Sequence, residues 1–179
     1  MALEITEEMR SAANQIALEL GVCGELHEDD YLLNFFVNKR GRQVGTEGYF
    51  KGGRTDAAKV VRTLKSLKID KEPLKILDFA AGYGRVARHV KSMLPNHDLY
   101  ASDIHPQACT FLQDQLEIPS YPSSFNPSSI EVGREYDFIY VLSLFLISQT
   151  RRSEIGSAPC SAFLHLKGIF YLRQMGKTG

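Results

Sequence analysis

The 179-residue chain has no net charge to offer, with 21 basic side chains against 21 acidic ones. That removes any global field able to recruit nucleic acid or an anionic lipid surface, though a local basic patch stays open. Cysteine is scarce: Cys23, Cys109 and Cys160 are far apart and odd in number. This argues against a disulfide scaffold or a Cys-x-x-Cys metal site and suits a reduced compartment. No apolar run approaches the ~20 residues of a membrane span. The acidic start "MALEITEEMRSAANQ" has no signal-peptide core. The expectation is a cytoplasmic protein with no membrane partner.

Metal and nucleophile signatures are missing too. His27, His89, His97, His105 and His165 show neither His-x-His nor His-x-x-x-His spacing, so no metal site is expected. His105 reads as a helix-start histidine, with a place on a ligand cleft as the alternative. There is no Gly-x-Ser-x-Gly elbow and no phosphate-loop lysine.

What is present is a chain long enough for one domain with a full core. Met9, Ala12, Ala13, Ile16, Ala17 and Leu20 fall at helical spacing, with Gly21 as a stop. Tyr31 to Val37 predicts a second short helix. The stretch "GRQVGTEGYFKGGR" holds five glycines and reads as a loop. In "TDAAKVVRTLKSL", Thr55 is a candidate cap and Ala57, Ala58, Val61, Leu64 and Leu67 make one apolar face.

Leu74 to Phe79 is short and apolar, as in a strand buried on both faces. A helix with Val86, Ala87, Val90 and Leu94 inward follows, closed by Pro95. "DLYASD" is a second strand, and Pro106 opens a helix with Ala108, Phe111, Leu112 and Leu116 inward. "PSYPSSF" is a weak third strand or a loop, and "YDFIYVLSLF" is the strongest strand signal. Strands alternating with helices predict right-handed βαβ units and a parallel sheet.

The turn in "KILDFAAGYGRVARHV" lets backbone N–H groups approach a ligand closely. Gly82, Gly84 and Ala87 satisfy the dinucleotide fingerprint, and Asp103 lies 21 residues after Gly82, where a ribose-binding acid belongs. Asp78, four residues before Gly82, argues the other way. A carboxylate beside a pyrophosphate would repel it by about a few kcal/mol at ~4 Å and an effective dielectric of ~20. A cationic sulfonium ligand with an ammonium group would be attracted.

"LDFAAGYGR" resembles motif I of the class I S-adenosylmethionine-dependent methyltransferases, with Ala80 where the family has its first glycine. "LYASDIHPQA" resembles motif II, "EYDFIYVLSLF" the fourth-strand motif, and "GYFKGGRTDAA" the Tyr-x-x-x-Gly stretch upstream of the core in small-molecule members. The match runs from Tyr49 to Phe145. The resemblance implies a Rossmann-like three-layer α/β sandwich with a mostly parallel sheet, binding S-adenosylmethionine and a small-molecule methyl acceptor.

It also implies roles. Ala80, Gly82 and Gly84 would shape the turn, and Asp78 would act near the ammonium. Asp103 and Ile104 would hold the ribose and flank the adenine, with Ser124 and Phe125 bordering it. Tyr49 and Gly53 would approach the methionine end, and Ser143, with Leu144 and Phe145, would border the active cleft. No residue stands out as a catalytic base.

Plainer roles compete at each position. Asp78 could cap the following turn, and Asp103 could be the N-cap of the Pro106 helix. Tyr49 could be a packed aromatic, Ser124 and Phe125 loop and core, and Arg85 an ion-paired surface residue. An NAD(P)-dependent oxidoreductase and a binding module without chemistry remain alternatives. The fourth strand lacks the Asn/Asp-Pro-Pro-aromatic sequence of base-methylating enzymes, which weighs against a nucleic-acid substrate.

After Phe145 the resemblance stops, and the 34 remaining residues cannot hold the helix, fifth strand and closing hairpin that the family would add. From Arg151 onward five basic residues face one acid, Glu154. "HLKGIFYL" could echo the fifth strand. The expected division is a helical and loop segment over 1–48, a cofactor-binding core over 49–145 and an atypical basic tail over 146–179. A truncated or frame-altered end near Leu146 is the leading explanation, with a partner-binding basic tail as the runner-up. The last strands of the sheet are expected to be missing.

Overall fold

The computed structural model describes residues 3–69, 73–124 and 136–142, and the backbone of 164–166 and 169–171. Helix α1 (Glu7–Leu20) starts at Thr6, whose hydroxyl accepts from the Met9 N–H, and stops at Gly21 in the left-handed region. Helix α2 (Tyr31–Arg40) is capped by Asp30, whose Oδ1 accepts the Leu33 N–H at 3.0 Å.

Helix α3 (Arg42–Leu67) corrects the loop expected around its glycines. Those glycines serve close packing. A Cβ on Gly45 would lie 2.6 Å from the Val37 Cα, and one on Gly53 only 2.2 Å from the Arg85 carbonyl oxygen. Glycine therefore lets α3 press against α2 on one side and the turn before α4 on the other, and that packing outweighs its low helix propensity. Thr55 sits inside the helix and bonds back to the Lys51 carbonyl at 2.9 Å, so it is no cap. The buried face is Ala57, Val60 and Leu64; Ala58 and Val61 are half-buried and Leu67 exposed, so the packed face is centred on Val60 and not on Val61.

Strands β1 (Lys75–Phe79), β2 (Asp98–Asp103), β3 (Ser120–Pro122) and β4 (Phe138–Tyr140) form one parallel sheet in the order β3-β2-β1-β4. Helix α4 (Ala87–Met93) links β1 to β2, and α5 (Pro106–Asp114) links β2 to β3. This is a Rossmann-like α/β arrangement, with Pro122 tolerated because β3 is an edge of the sheet described. Strands β5 (Leu164–Leu166) and β6 (Ile169–Tyr171) pair antiparallel in a separate hairpin. The single fifth strand read in "HLKGIFYL" is thus two short ones, Leu164–Leu166 and Ile169–Tyr171.

Register places Ile76 beside Leu99 and Phe138, and Asp78 beside Ala101 and Tyr140, all on one face. That face shares a core with Ala57, Val60 and Leu64 of α3, Val90 of α4 and Leu112 of α5. A second core joins Met9, Ile16, Leu33 and Val37 to Tyr49 and Phe50. Helix α3 belongs to both, running unbroken through positions 48 and 49. Each fully buried large apolar side chain contributes about 1.5–3 kcal/mol, so the helical segment is fastened to the sheet by its own packing. No described helix is long and apolar enough to cross a membrane.

Candidate functional site

Direction reverses at β1, which has β2 on one side and β4 on the other. Ligands of open parallel sheets bind outside the carboxyl ends of the strands at such a point. Here the chain leaves β1 through three left-handed residues: Ala80 (φ 61°), Gly82 (φ 56°) and Gly84 (φ 75°). Each has its own reason. A Cβ on Gly84 would lie 2.4 Å from Leu116 Cδ1, so this glycine seats the turn on the residues around α5. A Cβ on Gly82 would meet nothing within 4 Å, so the space in front of the turn is open. Ala80 holds a conformation that costs an L-residue about 1–2 kcal/mol.

The turn is tied to the end of β2. Ala81 N–H donates to the Ser102 carbonyl at 3.0 Å. Gly82 N–H donates to Asp103 Oδ2 at 2.8 Å, and His105 N–H donates to Asp103 Oδ1 at 3.0 Å. The N-cap position of α5 is His105, without a side-chain cap bond, so Asp103 does not cap that helix. Its carboxylate faces the turn. Ile104 follows it, half-buried, and the Ser123 N–H donates to the Asp103 carbonyl at 2.8 Å, which brings Ser124 to the same edge.

Asp78 lies one strand away, 2% exposed. Burial pushes its carboxyl up to about 8, partly offset by the Tyr140 hydroxyl and the Arg85 guanidinium and reinforced by the Asp103 carboxylate. The Tyr140 hydroxyl, beside it in register, meets no full hydrogen-bond geometry among the described residues. The charged Asp78 of the sequence argument is therefore largely neutral at pH 7 in the free protein. A cation arriving there would draw its proton away; an anion would hold it in place.

The structure thus gathers Asp78, Ala80, Gly82, Gly84, Asp103, Ile104 and Ser124 at the carboxyl ends of β1 to β3. Tyr49 and Gly53 go elsewhere. The Tyr49 hydroxyl donates to Asp30 Oδ2 at 2.5 Å, bracing the cap of α2 within the second core, and Gly53 is filled by the Arg85 carbonyl. Both are packing residues, because α3 brings them against helices and not toward the open side of the turn. Phe125 and Ser143, with Leu144 and Phe145, lie outside the described residues.

Arg88 carries a role that no sequence signal marked. Only 3% exposed, it donates to the carbonyls of Cys23 (2.8 Å), Glu25 (3.0 Å), Tyr83 (3.1 Å) and Gly84 (3.1 Å). Its guanidinium also lies over the Phe50 ring, 5.0 Å from the centroid. It stitches the segment after α1 to the turn. The inward face read from the sequence was Val86, Ala87, Val90 and Leu94, so a buried cation at 88 satisfied by carbonyls was not readable. Arg85 is ion-paired, as its plainer reading has it, to Asp56 at 2.7 Å.

No cluster of side chains among the described residues could hold a metal ion. No protein-family model matches the chain, and no curated protein matches it. Solved structures to which it is similar include the plantazolicin methyltransferase BpumL in complex with SAH: 18% identity over 74% of this chain and 46% of that one, TM-score 0.42. SAM-bound CalS10, an amino pentose methyltransferase from Micromonospora echinaspora, is 17% identical over 65% of this chain and 44% of that one, TM-score 0.45. DesVI of Streptomyces venezuelae is 19% identical over 65% and 43%, TM-score 0.42. The chain spans less than half the length of each of these three.

Proposed function

We propose that residues 49–145 form the cofactor-binding part of a class I S-adenosylmethionine-dependent methyltransferase acting on a small molecule, with 1–48 as a helical segment beside it. The observation that carries this reading is the corner made by Asp78, the open Gly82 turn and Asp103 at the reversal point of the sheet.

The residues suit the cofactor. Open space stands before Gly82, a buried acid lies on β1 just before the turn, and a carboxylate borders the turn from β2. Asp103 and Ile104 would hold the ribose and flank the adenine, and Asp78 would take the ammonium. When bound, S-adenosylmethionine supplies a methyl group on a cationic sulfur, already reactive toward a well-aimed nucleophile. The protein's part is to fix the line of approach and keep the cleft dry. Asp103 and, behind it, Arg88 hydrogen-bond the turn and would hold it in place for that. The reaction needs no general base unless the acceptor is a poor nucleophile.

Thermal-shift titration of the whole chain with S-adenosylhomocysteine and with NAD tests the reading. A ligand at about 100 times its Kd adds about 2.7 kcal/mol of apparent stability. Stabilisation by S-adenosylhomocysteine and not by NAD is expected; stabilisation by NAD alone overturns it.

A further inference from the structure

A cleft of about 370 Å³ opens between α2, α3, the turn before α4 and the end of β4. Leu32, Phe35 and Phe36 of α2 and Leu142 past β4 make its apolar walls, and Asp56 and Arg85 supply the polar side. Phe35 is 45% exposed and meets Phe36 edge-on at 6.1 Å; Lys39 Nζ lies 5.6 Å from the Phe35 ring centroid and Arg40 Cζ 5.7 Å from that of Phe36, so the aromatic wall is flanked by cations.

The charges are unequal. Asp56 is held by two cations, Arg85 Nη2 and Lys59 Nζ, each at 2.7 Å. The lining itself balances one acid, Asp56, with one base, Arg85; the positive surplus comes from Lys59, Lys39 and Arg40 around it. The Arg85 side chain is 12% exposed and its Nε–H has no acceptor among the described residues. Its guanidinium also acts electrostatically on Asp78 of the proposed cofactor corner.

We propose that the cleft is the acceptor site and takes a planar aromatic carboxylate, its ring against Phe35, Phe36 and Leu142 and its carboxylate on Arg85; this rests on the methyltransferase reading above. Guanidinium donors suit a carboxylate better than a neutral amide, and an amine would meet the surplus positive charge. A mainly apolar wall with one fixed charge is the usual recipe for orienting a small ligand.

The test is calorimetric titration of the full chain with benzoate, benzamide and benzylamine, with S-adenosylhomocysteine titrated alongside. Benzoate is expected to bind at least tenfold tighter than the other two. Arg85→Gln and the fold-tolerant surface change Phe35→Ala are each expected to weaken benzoate at least fivefold, with Arg85→Lys recovering part of the loss. Preference for benzylamine overturns the inference. So does benzoate affinity indifferent to both Arg85→Gln and Phe35→Ala, or no benzoate binding by protein that still binds S-adenosylhomocysteine. Benzoate binding without S-adenosylhomocysteine binding supports the cleft and removes the methyltransferase reading instead.

Discussion

Asp103 receives the Gly82 N–H on one carboxylate oxygen, at 2.8 Å, and the His105 N–H on the other, at 3.0 Å. One side chain thereby fixes the glycine turn against the end of β2. Asp103→Ala strands two backbone donors, each bond to a charged acceptor being worth about 1.5–3 kcal/mol. The expected result is a loss of about 2–4 kcal/mol in urea unfolding, with S-adenosylhomocysteine affinity down by tenfold or more. Asp103→Asn, which keeps one acceptor, should fall between.

Ala80 occupies the left-handed region at φ 61°. Glycine adopts this conformation freely but has more unfolded freedom to lose. The balance predicts that Ala80→Gly stabilises the protein by about 0.5–1 kcal/mol, read as a higher urea midpoint with an unchanged slope. Destabilisation would mean that the Ala80 methyl is needed for packing.

Gly52 and Gly53 are neighbours in α3 with opposite constraints. At Gly52 the nearest atom to an added Cβ is Arg85 Nη1 at 3.4 Å, an ordinary contact. At Gly53 it is the Arg85 carbonyl oxygen at 2.2 Å. Gly52→Ala is therefore expected to gain about 0.5–1 kcal/mol through helix propensity, and Gly53→Ala to lose at least about 2 kcal/mol through overpacking. Thermal unfolding of the two variants side by side checks the sign of each.

These glycines also show where sequence reasoning stops. The strands and the later helices follow from local pattern: "DLYASD" is β2 residue for residue, and Pro106 opens α5. The acids at 78 and 103 were legible because the end of a strand fixes where a side chain goes. The glycines of α3 look like a loop because their purpose, contact with Val37 and the Arg85 carbonyl, lies far away in sequence or in the preceding helix. Tyr49 is a similar case: the partner of its hydroxyl is Asp30, the N-cap of α2, which no local pattern announces. The charge state of Asp78 was hidden as well, since only the fold shows how completely it is buried.

Stability should depend on pH with a definite sign. Asp78 is raised from 3.8 to about 8, so the native state binds the extra proton between those values and loses stability as pH rises through them. Asp30, also raised by burial, acts in the same direction. His89, buried and near Arg88, Arg54 and Arg85, is lowered from 6.5 to about 4, so stability rises with pH over that range. The two trends oppose each other up to about pH 6.5; above it only the falling trend remains. Urea unfolding should show a fall of about 1–2 kcal/mol between pH 6.5 and 8, and Asp78→Asn should flatten it.

The reading of the cofactor stands or falls on what happens to the proton on Asp78 when the ligand arrives. Calorimetric titration with S-adenosylhomocysteine at pH 7, in buffers of different ionisation enthalpy, measures it directly. Release of close to one proton per ligand bound, abolished in Asp78→Asn, is the result expected when a cationic amino group meets a carboxyl held at about 8. Binding without proton release, or binding of NAD with the proton retained while S-adenosylhomocysteine has no effect, would contradict it.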